Sequence, residues 1–274
     1  MPLSSKGNPG PIGIFDSGIG GLTVLKALKA ALPEESFIYL GDTARLPYGS
    51  KSPETIQRYL QQNMTFMWRR NVKALVVACN TASSVLSNVA EQRFPVFGVV
   101  EPGAQAAYRA SKNGRIGVLG TAATVRSSAY AKVLHRLDPG LEVTETACPL
   151  LVPLVEEGWE DDPITREILK RYLASPLEAR VDTLILGCTH YPVLKPVIQE
   201  LAGPQITLVD SADEVARRLR QDLQEGRIAR GGDGALKVMT TDISPSFQRL
   251  GSRILAPYQA DSWHWADIGE NEEV

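Results

Sequence analysis

Two short segments of the chain end in the same way. "ALVVACNTAS" (74–83) and "TLILGCTHYP" (183–192) each run through aliphatic residues into a small residue, a cysteine and then polar side chains. The chain has three cysteines, Cys79, Cys148 and Cys188, and two of them hold these matched places. A cysteine just past a buried strand stands where a helix begins, among unpaired backbone N–H groups and the positive end of the helix dipole. Both favour the thiolate, relative to a free thiol pKa of about 8.5. Cysteine is also a common small core residue. The matched positions, each followed by Asn-Thr or Thr-His, argue against that plainer reading for Cys79 and Cys188. Cys148, in "TACPLLVPL", has no counterpart and keeps it.

Two thiols facing each other across a cleft have a specific use. A carbon acid held between them loses its proton to one sulfur and regains one from the other on the opposite face, which inverts a stereocentre. One thiolate and one thiol are needed at any moment. No lysine motif or ligand cluster points to a cofactor that would delocalise the carbanion, so none is expected. No metal is expected either, because His135 falls in a predicted helix and His264 near the chain end. Charge on the substrate must then be met by water exclusion and by dipoles aimed at its carboxylate.

Other residues gather at predicted strand ends. "GIFDSGIGGLTVL" (13–25) places Asp16 and Ser17 before a glycine turn. Asp16 there can pair with an ammonium, orient a thiol, or merely cap the following helix. A dinucleotide site competes, with Asp42 ending the next strand, but the G-x-G-x-x-G pattern counted from Gly18 meets Thr23 where its third glycine belongs. "GDTARLPYGSKS" (41–52) reads as a loop at the cleft mouth, where Tyr48 and Gly49 offer a hydroxyl and an N–H to an anion. In "GTAATVRSSAY" (120–130), Thr121 and Thr124 suit either a carboxylate or a plain helix cap. His190 is the one histidine near a predicted strand end, placed to exchange a proton with Cys188.

The elements that must carry these residues are legible as periodicity. Short continuous apolar runs recur at 12–15, 36–41, 74–78, 96–100, 115–120, 183–187, 206–210 and 236–241, as parallel strands buried on both faces do. Amphipathic stretches at 22–32, 53–70, 163–177 and 211–225 predict helices, the last with Ser211 as its N-cap. The alternation makes this an α/β protein with largely parallel sheets. "IGIFDSG" (12–18) aligns with "IGVLGTA" (116–122), and each lies at nearly the same separation from its cysteine segment. Two similar domains related by a pseudo-twofold axis are therefore expected, with the site in the cleft between them. The first comprises residues 1–100 with a returning segment 210–255, and the second 101–209, bounded near "EPGAQ" (101–105). Residues 256–274 are expected as a loosely held tail.

Composition narrows the partners. With 43% hydrophobic and 22% charged residues the 274-residue chain reads as soluble and globular. Twenty-nine basic against thirty-one acidic residues give a net charge of −2, so no nucleic-acid partner or anionic membrane is expected. The opening "MPLSSKGNPGP" lacks the apolar core of a signal peptide, and no run approaches a membrane span. Three scattered cysteines make no disulfide framework, so the expected compartment is the reducing cytoplasm.

Taken together, "FDSGIGGLTVL", "YLGDTARLPYGSKS", "VVACNTAS", "EPGA", "IGVLGTAATVRSSAY", "CPLLVPLVEEG", "LGCTHYPVLKP" and "LVDSA" resemble the glutamate racemases, cofactor-independent enzymes that supply D-glutamate for bacterial peptidoglycan. The resemblance runs from about residue 12 to 215, with "TTD" (240–242) as a further fit. It implies two α/β domains with the active site between them, and Cys79 and Cys188 as the acid/base pair. It implies that Asp16, Ser17, Tyr48, Gly49, Asn80, Thr81, Thr189 and His190 contact L- or D-glutamate. Asp16 would assist Cys79, and His190 would assist Cys188. Thr121, Thr124 and Glu156 follow as lining residues, Cys79 as the base for D-glutamate, and a homodimer as the assembly. Three alternatives stand beside it: an aspartate or hydantoin racemase of the same superfamily, an amino-acid-binding protein without turnover, and, last, a dehydrogenase.

Overall fold

The computed structural model describes residues 10–89 and 93–269. The opening residues 1–9, read above as lacking an export signal, and the last residues 270–274 lie outside the described residues. The described strands are, in chain order, β1 (Ile12–Asp16), β2 (Phe37–Gly41), β3 (Ala74–Val77), β4 (Val96–Gly98), β5 (Arg115–Gly120), β6 (Glu142–Ala147), β7 (Thr183–Gly187), β8 (Thr207–Val209), β9 (Leu236–Thr240) and β10 (Ser262–Trp265). They form two sheets, β10-β9-β2-β1-β3-β4 and β6-β5-β7-β8, with every pairing parallel.

The continuous apolar runs have a direct cause. Helices cover both faces of each sheet, so strand residues of either parity are buried. Ile12 and Ile14 of β1 face one core, while Phe15 faces the other. In the second sheet Leu184 and Leu186 of β7 face one core, and Ile185 faces the opposite one. The predicted helices appear as Leu22–Ala31, Pro53–Arg69, Pro163–Glu178 and Ala212–Gln224. Ser52 and Asp162 cap two of them through the backbone N–H groups of Thr55 and Ile164, each with proline at the first helical position.

The internal repeat has a topological counterpart. The order β2-β1-β3-β4 in the first sheet recurs as β6-β5-β7-β8 in the second. In both, the chain leaves the first strand to one side and returns to add the next on the other. The crevice at the carboxyl ends of β1 and β3, or of β5 and β7, is where strand order reverses and where open α/β sheets bind ligands. Asp16 and Cys79 follow or end the first pair, and Thr121 and Cys188 follow the second.

Two expectations are corrected, and the boundary stretch takes a definite form. The stretch after 255 is not a loose tail throughout: Ser262–Trp265 is a strand on the edge of the first sheet, paired with Lys237–Thr240, and Trp263 packs edge-on against Phe247. The 101–105 stretch lies inside the helix Val100–Ala110, which follows the first sheet's β4 and precedes the second sheet's β5 in the chain. Pro102 is tolerated there because the first turn needs no intrahelical N–H donor. Ser211 does not cap its helix through its side chain, and Asp210 Oδ1 accepts from the Ala212 N–H at 3.2 Å instead.

Candidate active site

Both repeated crevices open on one cavity of about 210 Å3, smaller than the roughly 300–1,000 Å3 of pockets for drug-sized ligands. Cys79 and Cys188 both line it, with Ser17, Asn80, Thr189 and His190. All three cysteines are free thiols. One sulfur from each sheet thus opens on the same cavity.

On the first side, β1 delivers Asp16 into a tight turn. Asp16 Oδ2 accepts from the Gly18 N–H at 2.9 Å, and the Tyr39 hydroxyl donates to Gly18 O at 2.7 Å. A Cβ at Gly21 would fall 2.4 Å from Asp16 Cβ, so the turn closes over the carboxyl only with glycine there. Asp16 is fully buried, and burial raises its pKa against the lowering pull of His190 and the surrounding N–H groups. It does not line the cavity. It accepts from Thr189 Oγ1 at 3.2 Å and so joins the two half-sites.

Cys79 caps a single helical turn, Asn80–Ser83, its Sγ accepting from the Ala82 N–H at 3.4 Å and lying 3.5 Å from Ser17 Oγ. The expectation of a favoured thiolate does not hold in the free protein. Burial first, and then the Asp16 carboxyl, push the Cys79 thiol up to about 12. One turn of helix and one long N–H contact do not offset desolvation of a buried sulfur.

The second side differs. Cys188 Sγ lies 3.9 Å from His190 Nδ1, and His190 Nε2 is 3.1 Å from Glu156 Oε1. Burial alone would strip the proton from this imidazole, but Cys188 and Glu156 outweigh it and push His190 up to about 10. Gly20 makes the approach of the halves possible: a Cβ there would meet Thr189 Oγ1 at 2.4 Å and His190 Nδ1 at 2.5 Å.

The remaining predicted residues divide. Thr81, Thr121 and Thr124 form a hydroxyl cluster across the cleft floor, with Oγ1 separations of 2.9, 3.3 and 3.0 Å. Thr81 and Thr121 line the cavity, whereas Thr124 is sealed beneath. Gly49 packs so close to Thr121 that a Cβ would fall 2.7 Å from its Cβ. Tyr48 lines the cavity, but its hydroxyl donates to buried Asp42, and Asn63 Nδ2 donates to it at 3.2 Å. The stretch expected as a loop at the cleft mouth is thus pinned from beneath.

Sequence reasoning missed an apolar wall. Leu46, Pro47, Val152 and Pro153 line the cavity, as do Pro149 and Cys148. These residues carry no spacing that separates a cavity wall from an ordinary core. Cys148 is fully buried with Leu119 and Leu151, its Sγ 3.4 Å from Thr146 O, so it is both core and wall.

Comparisons with known proteins agree on one group. The profile of the Asp/Glu/hydantoin racemase family matches residues 18–219. A glutamate racemase of Geobacter metallireducens is 49% identical over 265 residues, covering 95% of this chain and 98% of that protein. The crystal structure of a glutamate racemase isoform from Bacillus anthracis superposes with a TM-score of 0.89 at 40% identity, covering 95% of this chain and 98% of that one. A Francisella tularensis glutamate racemase, solved in complex with D-glutamate, gives a TM-score of 0.88 at 34% identity with the same coverage.

Proposed function

This chain belongs to the Asp/Glu/hydantoin racemase family, among its glutamate racemases, and from that premise we propose that it interconverts L- and D-glutamate by a two-base mechanism on Cys79 and Cys188. The observation that carries the reading is the shared cavity, with a thiol from each sheet's switch point opening on it. Cys188, faced by His190, takes the α-proton of L-glutamate, while Cys79, held as a thiol, donates its proton to the opposite face. The reverse reaction exchanges the roles. Dipoles rather than a cofactor meet the charge that grows on the α-carboxylate: the hydroxyls of Thr81, Thr121 and Thr189, and the Asn80 amide. Asp16 and His190 serve the adjacent sulfurs, and Ser17, Tyr48 and Gly49 complete the enclosure.

The same reading assigns the product to bacterial peptidoglycan, the protein to the cytoplasm and the assembly to a homodimer, with no nucleic-acid or membrane partner. The test is circular dichroism of each pure glutamate enantiomer with the protein, in heavy water and without added cofactor. Optical activity should decay to zero from either side, with aspartate unchanged. The newly formed enantiomer should carry deuterium at Cα while the remaining starting enantiomer is initially unlabelled. Equal early labelling of both would mean that a single base serves both faces. Rescue of a D-glutamate auxotroph tests the cell-wall assignment.

A further inference from the structure

Tyr130 stands in the second half of the molecule yet ends on a residue of the first. Its ring is fully buried in the helix Ala129–Leu137, between the helix Val100–Ala110 and β7. A Cβ on Gly103 would come within 3.4 Å of one ring edge, and one on Gly187 within 3.1 Å of the other. The ring is clamped by two glycine-lined surfaces, so its hydroxyl has one place to be. That hydroxyl donates to Asn80 Oδ1 at 2.6 Å and lies 3.4 Å from Ser211 Oγ.

A phenol has one proton to give. The 2.6 Å contact is short for an amide N–H and ordinary for an O–H donor to a carbonyl oxygen, so that proton goes to Asn80 Oδ1, while the longer contact with Ser211 can run either way. Burial pushes the phenol well above its ordinary pKa, so it remains a donor throughout the working range. No protein group among the described residues accepts from Asn80 Nδ2, and Asn80 lines the cavity beside Cys79. An amide whose oxygen is occupied from behind presents only its NH2 to the ligand.

We propose that Tyr130 is a positioning residue that locks the Asn80 carboxamide with its NH2 turned into the cavity, as a donor to the substrate α-carboxylate. The inference rests on the glutamate reading and extends it to a residue outside the cavity. Unlocked, the amide presents its oxygen to the carboxylate for part of the time, and the dipole opposes the growing charge instead of meeting it.

Tyr130→Phe keeps the ring and removes the hydroxyl. It should lower kcat about tenfold, the worth of one preorganised hydrogen bond, while KM changes by less than about twofold. In an Asn80→Ala background the same substitution should change kcat by less than about twofold, because nothing remains to lock. Equal losses in both backgrounds, or none from Tyr130→Phe alone, would overturn the proposal. A second readout does not depend on turnover. With nitrogen-15 asparagine, the Asn80 side-chain amide should show two sharp, separated protons in the parent protein and broadened ones in Tyr130→Phe. An unchanged pair refutes the lock even if glutamate proves to be the wrong substrate, whereas failure of the parent to racemise glutamate refutes only the function.

Discussion

Cys79 and Cys188 occupy equivalent points of a repeated topology, each just past the third strand of a β2-β1-β3-β4 order, yet their surroundings are opposite in kind. Around Cys79 are a buried carboxyl, a serine and one backbone N–H, and the sulfur keeps its proton to about pH 12. Around Cys188 stands an imidazole that burial cannot discharge because Cys188 itself and Glu156 hold its proton. A repeated topology brings two sulfurs to one cavity, and the neighbours that surround them differ. The proposed inversion needs one thiol and one thiolate at a time, because two thiols leave no base and two thiolates no acid.

The largest expected effect comes from removing either sulfur. Cys79→Ala and Cys188→Ala should each lower kcat/KM by at least about a thousandfold. Both directions must fall together, because the two enantiomers are equal in free energy and the ratio of their kcat/KM values is fixed at unity. Direction therefore cannot tell the half-sites apart, but isotope exchange can. With Cys188 removed, Cys79 can still draw the proton from D-glutamate and return a solvent deuteron to the same face, so D-glutamate should gain deuterium without inverting. The Cys79→Ala protein should label L-glutamate in the same way. If each variant labels both enantiomers, or each labels the other's, the assignment of faces is wrong.

What the sequence revealed of this comparison follows burial and chemistry. The inner strands β1, β3, β5 and β7 were legible because sheets covered on both faces demand unbroken apolar runs. The edge strands β6, "EVTETA", and β10, "SWHW", were not, because neither is buried on both faces and neither carries such a run. The polar residues of the site stood out because Asp, Cys, Thr and His interrupt apolar runs at strand ends. The wall formed by Val152, Pro153, Leu46 and Pro47 did not, since shape alone gives those residues their role. Nor could periodicity show that the Tyr48 hydroxyl turns down to Asp42 rather than out to a ligand. The sequence set His190 two residues past Cys188, but not the contact of that imidazole with Glu156, which is brought from elsewhere in the chain.

An intermediate effect probes the charged imidazole. His190 is raised from 6.5 to about 10, so its stabilising charge is fully present below 6.5 and is lost as pH rises through about 10. Stability should therefore fall across that window. Between pH 7 and 9 His190 is the group to read. Glu145, raised from 4.5 to about 7, has by then nearly finished, and Cys79 and Cys148, both raised from 9.0, are only beginning. Over those two pH units the parent should lose about 1–2 kcal/mol, with the low end favoured because Glu156 is 31% exposed and partly screened. Urea titrations at pH 7 and pH 9 measure this loss. In His190→Asn the slope should flatten while kcat/KM drops about a hundredfold. An equal slope in both proteins would place the titrating charge elsewhere and remove the asymmetry between the half-sites.

The smallest effect sharpens the other half. The Asp16 carboxyl is the second cause, after burial, of the raised Cys79 thiol. Asp16→Asn preserves the shape, and Thr189 can turn from donor to acceptor toward the new NH2 while Gly18 keeps its oxygen. Removing the anion should bring the thiol down by about half a pH unit and roughly triple the thiolate fraction at any pH well below 12. A less basic sulfur is also a weaker nucleophile, with a Brønsted slope of about 0.5, so alkylation should quicken only about twofold. Mass mapping of Cys79 after brief iodoacetamide treatment at pH 8 reads this directly. A rate that stays constant would show that Asp16 is already protonated and that burial alone holds the proton on Cys79. A slower rate would mean that the carboxylate assists ionisation as a proton acceptor, so that the first half-site would, like the second, pair its sulfur with a base.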